Sequence, residues 1–343
     1  MKEGEKVTKY SVLVPAYNAE KYIVECIESV INQSDIKLVE LFENVEIIIA
    51  NDGSVDATGE ICDKLAEKYP NIKVFHKENE GQLLTRKFLL QKASAKYILY
   101  LDADDKWEDS LLKILNEYIE QYEYPDIISF SFNLWKGEDY VPYEKINTLL
   151  YCDKENSEKA WTFLLCEDTY NSVWSKAIKR EILLESNVEK SLENIRRGED
   201  KLLLIACLEM ARNLLFIPDR LYNYRIDNVS MTRTFKQNYF NEIIIVDNFA
   251  FEKLMKYTSG SEEYLIKWGE NLVDKFIDYV ISAFLCLHKN EAEECISGYA
   301  STDTVKRAVS YAKKSKKLKT KVKAYIIFLK LYSILRLIYT RKL

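Results

Sequence analysis

The sequence LYLDADD, residues 99–105, ends an apolar run abruptly in three carboxylates that occupy four positions. Neighbouring carboxylates raise each other's pKa and do not all ionise cheaply unless a positive partner lies between them. Hard divalent ions take oxygen ligands, often one or two from the protein, and complete their shell with water and substrate phosphates. The stretch therefore predicts a strand that ends at a site for a metal ion and a diphosphate. The alternative is a solvated acidic loop that caps a helix predicted from about Glu108 to Tyr122.

Apolar, β-rich runs alternate with segments of helical periodicity over the first 135 residues. Apolar residues recur at spacings of three and four in residues 23–31, and residues 56–69 behave in the same way. This alternation predicts parallel βαβ units in a three-layer α/β sandwich. Ligands of such sheets bind beyond the carboxyl ends of the strands. The predicted strands are Ser11–Val14, Val45–Ala50, Ile72–Phe75, Tyr97–Leu101 and Asp126–Phe130.

Three of the predicted strands end in polar residues. The first is followed by Asn18, a candidate N-cap for the next helix. The second ends in a turn sequence, residues 51–56, that has Asp52 near its start. The fourth ends in the acidic cluster. Because parallel strands present their carboxyl ends at one edge of a sheet, we expect the three ends to converge on a single ligand.

Seven short motifs occur in an order and spacing that resembles the family 2 glycosyltransferases with the GT-A fold. The resemblance covers roughly residues 8–232. It implies a Rossmann-like three-layer sandwich with a mainly parallel sheet, followed by a helical C-terminal region. The motifs are VPAYN (14–18), NDGSVDAT (51–58), EGQLLTR (80–86), DADD (102–105), WSK (174–176), GED (198–200) and YNYR (222–225).

The resemblance implies a nucleotide-sugar site. Asp52 would accept a hydrogen bond from the uracil N3–H, which favours a UDP-sugar donor. Arg86 would lie near the base or the diphosphate. Asp102 would touch the ribose, and Asp104 would coordinate the Mn²⁺ or Mg²⁺ that bridges the phosphates. Asp105 would lie beside the donor sugar or stabilise the loop. The remaining implied contacts, to base and ribose or within the acidic motif, are Pro15, Ala16, Tyr17, Asn18 and Ala103.

The resemblance assigns the acid–base chemistry to the GED motif. Asp200 would take the proton from the acceptor hydroxyl, and direct attack by that hydroxyl inverts the anomeric carbon. Glu199 is the rival base, and Trp174 is either an acceptor platform or a core residue. Asp200 has an alternative as a first-turn acid favoured by the helix dipole of residues 202–210.

Other assignments also have structural alternatives. Asp52 and Asp56 fit a turn and a helix cap, and Arg86 fits an exposed helix face. Two positions depart from the family pattern. Lys87 stands where Asn is common after the arginine, and Lys201–Leu204 stands where an aromatic residue is common. Neither change removes a catalytic atom.

Composition limits the compartment and the metal. Seven cysteines without a CxxC pair and only two histidines argue against zinc and indicate thiols in a reducing cytosol. The first ten residues lack the apolar core of a signal peptide, so we expect a cytoplasmic protein. The net charge is −5, yet residues 306–343 contain thirteen Lys or Arg and no Asp or Glu.

Long helical stretches follow residue 234, at 238–257, 262–287 and 291–299. The predicted domains are therefore a catalytic domain over 1–234, a helical region over 235–305 and a basic amphipathic tail over 306–343. The sequence leaves the oligomeric state open.

The basic tail predicts a surface helix. Lys316, Lys319, Lys323 and Lys330 are spaced to share one helical face, while the aromatic residues lie mostly elsewhere. No run reaches the ~18 uncharged residues of a spanning helix. Such a helix predicts peripheral attachment to the inner face of an anionic cell membrane. The alternative is a helix packed on the protein's own acidic body. Nucleic acid is not expected as a partner, because no nucleic-acid motif accompanies the tail.

Together these patterns and the family resemblance imply a metal-dependent inverting glycosyltransferase that uses a UDP-sugar and a polysaccharide or lipid-linked oligosaccharide acceptor. A nucleotidyltransferase of related fold would need a phosphate loop rich in Gly and Lys or Arg after the first strand, and VPAYN lacks one. A non-catalytic nucleotide-sugar-binding or membrane scaffold protein is the other alternative.

Overall fold

The computed structural model describes residues 8–34, 36–143, 148–167, 170–186, 188, 195, 197–226, 239–332 and 334. The strands are β1 (Tyr10–Ala16), β2 (Val45–Asp52), β3 (Ile72–Lys77), β4 (Tyr97–Tyr100), β5 (Lys106–Trp107), β6 (Ile127–Lys136), β7 (Asp139–Tyr143), β8 (Leu150–Cys152), β9 (Lys176–Lys179) and β10 (Leu214–Arg225). The helices are α1 (Ile23–Ile31), α2 (Leu38–Asn44), α3 (Thr58–Lys68), α4 (Gln82–Lys92), α5 (Leu111–Gln121), α6 (Ser157–Cys166), α7 (Arg180–Glu185), α8 (Glu199–Met210), α9 (Tyr239–Tyr257), α10 (Glu262–Cys286), α11 (Lys289–Ala300), α12 (Asp303–Ala312) and α13 (Leu318–Phe328).

The strands form one sheet in the order β3-β2-β1-β4-β9-β6-β10-β5, with β7 beside β6 and β8 beside β10. β1 pairs in parallel with β2 and β4, β2 with β3, and β6 with β10. β9 is antiparallel to both β4 and β6, so β6 and β10 run in the same direction as β4. The sheet is therefore mainly parallel, and the predicted α/β fold class is confirmed.

Burial explains why β1, β2 and β4 are so apolar. Every residue of β2 is buried, as expected for a parallel strand that is covered on both faces. Alternate residues of β1 belong to a core that also contains the apolar stripes of α1, α3 and α5. Leu13 and Ile48, which point the other way, are also fully buried. Burial on both faces thus holds these strands in position, and with them the residues at the strand ends.

The chain divides into two compact units. Unit 1 draws on residues 1–155, 172–187 and 206–228, and unit 2 on residues 156–171, 188–205 and 229–343. The sheet belongs to unit 1, whereas α9 to α13 belong to unit 2. The predicted domain boundaries at residues 234 and 305 remain predictions, since compact units of contact need not coincide with functional domains.

Unit 2 has its own aromatic core. Phe240 of α9 stacks on Tyr279 of α10 at 4.3 Å between ring centroids and meets Tyr299 of α11 edge-on at 4.6 Å. Ala324 and Ile327 of α13 are buried in the same cluster. No helix within the described residues is both long and apolar enough to cross a membrane.

The lysines of the basic segment do not form the single face predicted from the sequence. Helix α13 ends at Phe328, so Lys330 lies beyond it, in a left-handed conformation with φ of 56°. Lys323 donates to Asp274 of α10 at 2.5 Å, and Lys317 donates to Glu270 of the same helix at 2.8 Å. Part of the segment therefore packs on acidic residues of its own unit, as the alternative interpretation anticipated.

Candidate active site

The ends of β2, β1 and β4 lie side by side in unit 1. The parallel register pairs Ala16 of β1 with Asn51 of β2, and Leu13 of β1 with Tyr100 of β4. Parallel neighbours end at the same edge of the sheet, so the three predicted polar strand ends share one edge. The candidate donor site is built on this edge.

Asn18 ties the end of β1 to the loop after β2. Its backbone N–H donates to Ser54 Oγ at 3.0 Å, and its side-chain oxygen accepts from the Val55 N–H at 3.0 Å. The prediction that Asn18 caps α1 is wrong, because the helix begins five residues later, at Ile23, and the residue at its N-cap is Tyr22. Asn18 adopts a left-handed conformation with φ of 50° and joins two site loops instead.

Asp52 lies at the end of β2 with almost no exposed surface. It accepts hydrogen bonds from Lys77 Nζ at 2.6 Å and from the N–H groups of Glu80 and Gly81 at 3.0 and 2.9 Å. Burial alone would raise the pKa of Asp52, but these donors outweigh it and lower the pKa below its usual range. The carboxylate is therefore held ionised and in one orientation.

Lys77 is a residue of this cluster that the sequence did not reveal. It is the last residue of β3 and lies opposite Asp52 in the parallel register of β2 and β3. Its ammonium also pairs with Glu80 at 2.8 Å, and only 11% of its side chain is exposed. A lysine at the end of a predicted neighbouring strand is a weak signal, because the register is needed to bring it to Asp52.

Arg86 is buried, with 5% of its surface exposed, so the alternative of an exposed helix face is wrong. Its guanidinium donates to Asp102 Oδ1 at 2.9 Å, and Gln82 donates to the same oxygen at 3.0 Å. The guanidinium also lies 5.7 Å from the ring centroid of Tyr100. Lys87, the departure from the family pattern, is exposed on α4. Arg86 thus belongs to the strand-end cluster, and its predicted place near the base or the diphosphate stays a prediction.

The three carboxylates of the DADD loop differ in exposure. Asp104 is exposed, Asp102 is half-buried against Arg86, and Asp105 is 2% exposed. Asp105 accepts from the Tyr222 hydroxyl and from the Arg225 N–H, both at 2.7 Å. Burial, and then the charges of Asp104 and Asp102, raise the pKa of Asp105 well above its usual value. Asp105 stabilises the loop, while Asp104 faces solvent.

Arg225 holds the same loop from the end of β10. Its Nε donates to the backbone oxygen of Asp104 at 2.6 Å, and its terminal nitrogen donates to Glu25 at 2.8 Å. The guanidinium lies 3.8 Å from the ring centroid of Trp135, and Lys106 lies at the same distance from that ring. Arg225 belongs to the YNYR motif, but the sequence assigned it no role. Nothing in the sequence singled out Glu25.

Trp174 lies in the core of unit 1. It stacks on Tyr222 at 4.4 Å and on Tyr224 at 5.5 Å between ring centroids, and Phe132 meets it edge-on at 4.8 Å. Its exposed fraction is 9%. This burial favours the core alternative, and a contact of Trp174 with the acceptor stays a prediction.

The GED motif opens α8 in unit 2. Gly198 has a φ of +86°, and a Cβ there would lie 3.1 Å from the Val246 side chain, so glycine suits this position in conformation and in space. Glu199 and Asp200 occupy the first turn and are half-buried. Such acids are favoured by the helix dipole. This geometry is compatible with Asp200 as a general base and equally with Asp200 as a first-turn acid that stabilises the helix.

Lys201, the other departure from the family pattern, is a buried structural residue. Its ammonium donates to Asp247 of α9 at 2.8 Å, and Asp247 also accepts from Lys275 of α10 at 2.9 Å. Burial would raise the pKa of Asp247, but the two lysines lower it to about 2. The ion pair anchors the helix turn that carries Asp200, a function that the sequence could not disclose without the tertiary contact.

No group of three His, Cys, Asp or Glu side chains in the described residues is placed to hold a metal ion by itself. An ion at the DADD loop would therefore take few ligands from the protein. Exposed Asp104 suits a hard divalent ion of this kind, because such ions accept one or two carboxylates and fill their other positions with water and phosphate oxygens.

The parallel strand ends, the DADD loop and the sheet order together are those of the GT-A fold. Solved structures of S. aureus TarS share this fold: the complex of TarS 1–349 with UDP has a TM-score of 0.65 at 18% identity and covers 96% of this chain and 89% of that one. The complex of the same protein with UDP-GlcNAc has a TM-score of 0.59.

Sequence comparison identifies the family. The model for glycosyl transferase family 2 matches residues 11–181, and the chain belongs to this family. Glycosyltransferase GlyA of Streptococcus pneumoniae serotype 4 is 27% identical over 246 residues, which are 69% of this chain and 33% of GlyA. The minor teichoic acid biosynthesis protein GgaB of Bacillus subtilis (strain 168) is 30% identical over 244 residues, 69% of this chain and 25% of GgaB. The chain thus spans a third or less of these two relatives.

Proposed function

We propose that this chain transfers a sugar from a UDP-sugar to a hydroxyl of a polysaccharide or lipid-linked oligosaccharide, with inversion at the anomeric carbon. The proposal rests on the different environments of the three DADD carboxylates. Asp104 is exposed, whereas Asp102 and Asp105 are held in place by hydrogen bonds from Arg86 and Tyr222. The pre-oriented Asp52 at the neighbouring strand end supports a uracil base. TarS, which shares the fold, binds UDP-GlcNAc, and GgaB is a teichoic acid biosynthesis protein.

The residues have distinct roles in this reaction. Asp52 accepts the uracil N3–H, and Pro15 to Asn18 with Asp102 and Ala103 line the nucleoside. Arg86 holds Asp102 in place near the base or diphosphate. Asp104 would hold Mn²⁺ or Mg²⁺, and a bound ion would neutralise the charge that develops on the diphosphate.

Asp200 is the proposed general base. It takes the proton of the acceptor hydroxyl while the hydroxyl oxygen forms a bond to C1 of the sugar. The bond between C1 and the phosphate oxygen breaks, and UDP leaves with that electron pair. An attack from the face opposite UDP gives a β-linkage from an α-linked donor.

The deciding experiment measures UDP release from a panel of UDP-sugars with Mn²⁺, Mg²⁺ or EDTA. Slow hydrolysis of one donor is expected, and EDTA and Asp104→Ala should both abolish it. Asp109→Ala is the matched control, because Asp109 is an exposed acid five residues further on. If no UDP-sugar is bound or turned over, the donor is wrong, and dTDP- and GDP-sugars come next. Binding that persists without turnover would favour the scaffold alternative.

A second experiment tests the base. Asp200→Asn should lower kcat about 10²-fold to 10⁴-fold with an unchanged KM for the donor. Glu199→Gln is the matched variant in the same helix turn and should retain most activity. A reversal of the two results would make Glu199 the base.

Attachment of residues 306–343 to the cytoplasmic face of the membrane is also part of the proposal. It fits a lipid-linked acceptor.

A further inference from the structure

Helix α13 has apolar residues on two opposite sides. On one side, Ala324 and Ile327 are buried against the other helices of unit 2. On the other side, large apolar residues stay exposed at positions that step by four, three and four, which places them in one stripe along the helix. They are Leu318 (76% exposed), Val322 (49%), Tyr325 (49%) and Leu329 (57%), the last at the C-cap.

Basic residues border this apolar stripe. At about 100° per residue, Lys319 and Lys321 fall on opposite sides of Val322. Lys316 lies just before the helix. Within the described part of the chain, none of these three lysines has an ion-pair partner, whereas the neighbouring Lys317 and Lys323 are paired with α10. Lys319 and Lys321 are thus cations that lie next to the apolar stripe without a carboxylate to compensate them.

Two occupants are disfavoured by charge. In a symmetric dimer packed stripe against stripe, a second copy of this chain would bring the same basic segment to the contact, and like charges would repel. A neutral apolar partner would leave the lysines without compensation. An anionic bilayer offers both an apolar layer and negatively charged headgroups, and it matches the stripe and its borders together.

We propose that the stripe of Leu318, Val322, Tyr325 and Leu329 lies in the interface of an anionic membrane, with Lys316, Lys319 and Lys321 on the headgroups. This inference rests on the peripheral attachment proposed above and not on the transfer reaction. It differs from the lysine face predicted from sequence, because Lys323 is occupied by Asp274 and Lys330 lies outside the helix.

The test is sedimentation of the full chain with vesicles of phosphatidylcholine containing 30% phosphatidylglycerol. Wild type should sediment with these vesicles, should bind pure phosphatidylcholine at least tenfold more weakly, and should be released by 0.5 M NaCl. Val322→Glu/Leu329→Glu should lower the partition coefficient at least tenfold. Val39→Glu is the matched control, because Val39 is an exposed valine on α2 of unit 1.

The electrostatic part is tested separately. Lys319→Gln/Lys321→Gln should weaken binding about tenfold or more, whereas Lys37→Gln/Lys64→Gln, which removes two exposed lysines of unit 1, should not change it. All variants should keep the wild-type Tm and the same donor hydrolysis in solution, so a failure of membrane binding is distinguishable from a failure of the proposed chemistry.

Three results would overturn the inference. The first is a wild type that stays in the supernatant with anionic vesicles, and the second is a double glutamate variant that sediments as wild type does. The third is a dimer in light scattering that Val322→Glu dissociates, which would make a second copy the occupant.

Discussion

The DADD loop of unit 1 and the Asp247 cluster of unit 2 both bring carboxylates and cations together, but they differ in their access to solvent. In the loop, Asp104 is exposed while Asp105 is held by a hydroxyl and a backbone N–H. In unit 2, Asp247 is 1% exposed and is matched by two lysines. A carboxylate that faces solvent can still gain a ligand, whereas one already matched in the core serves stability.

The largest expected effect is a loss of stability when the buried carboxylate of Asp247 is removed. Asp247→Asn leaves the buried Lys201 without a counter-charge, and such a loss typically costs about 3–5 kcal/mol of unfolding free energy. Urea denaturation followed by circular dichroism measures it. Asp104→Asn is the matched change at the exposed site, and its unfolding free energy should stay within about 0.5 kcal/mol of wild type.

A double variant checks the cause of that loss. Lys201→Met/Asp247→Leu replaces the pair by apolar side chains and should recover most of the stability, because a buried pair is often replaceable in this way. An Asp247→Asn protein as stable as wild type would contradict the structural role of the cluster.

The next effect is a dependence of stability on acid. The pKa of Asp247 is about 2 in the folded chain, against about 3.9 when unfolded. Because the folded value is the lower one, the stability from this group is present above about pH 5 and disappears as pH falls through 4 to 2, by about 2–3 kcal/mol. The slope of unfolding free energy between pH 5 and pH 2.5 should be steeper for wild type than for Lys201→Met/Asp247→Leu. Equal slopes would mean that Asp247 does not titrate as stated.

The smallest effect concerns ligand binding at the strand ends. Lys77→Met removes the cation that separates Asp52 from Glu80, so Asp52 should lose one of the donors that hold it ionised and oriented. We expect the Kd for UDP to rise about tenfold, as for one charged hydrogen bond, and titration calorimetry measures it. Lys73→Met is the control, because Lys73 lies on the same strand and pairs with Glu46. An unchanged Kd for UDP would show that Lys77 does not contribute to the proposed binding site.

The parts of the fold that were predictable from sequence are those with local signals. Apolar runs and helical spacing located β1 to β4, and the rule that ligands bind at strand ends selected Asp52 and the DADD loop. The prediction that Asn18 is a helix cap was wrong because a cap must be the residue next to the helix. Here Asn18 adopts a left-handed conformation, and α1 begins five residues later. A sequence pattern does not show where a loop delays the helix.

The contacts that were not predictable depend on distant residues. Lys77 reaches Asp52 only through the register of two strands. Lys201 finds Asp247 on another helix, 46 residues away. The lysines of α13 were divided between acids of α10 and solvent, and that division depends on which side of the helix is packed.

Tyr222 and Arg225 have a consequence for synthesis of the chain. They bond to Asp105 and to the Asp104 backbone across 117 to 121 residues. Strands β1 to β4 can pair once about a hundred residues have left the ribosome, because their contacts are comparatively local. The acidic loop obtains its hydrogen bonds only after β10 has emerged and entered the sheet. During translation strands β1 to β4 therefore precede the ordered DADD loop, and a nascent chain shorter than about 225 residues has these strand ends without the finished geometry of the loop.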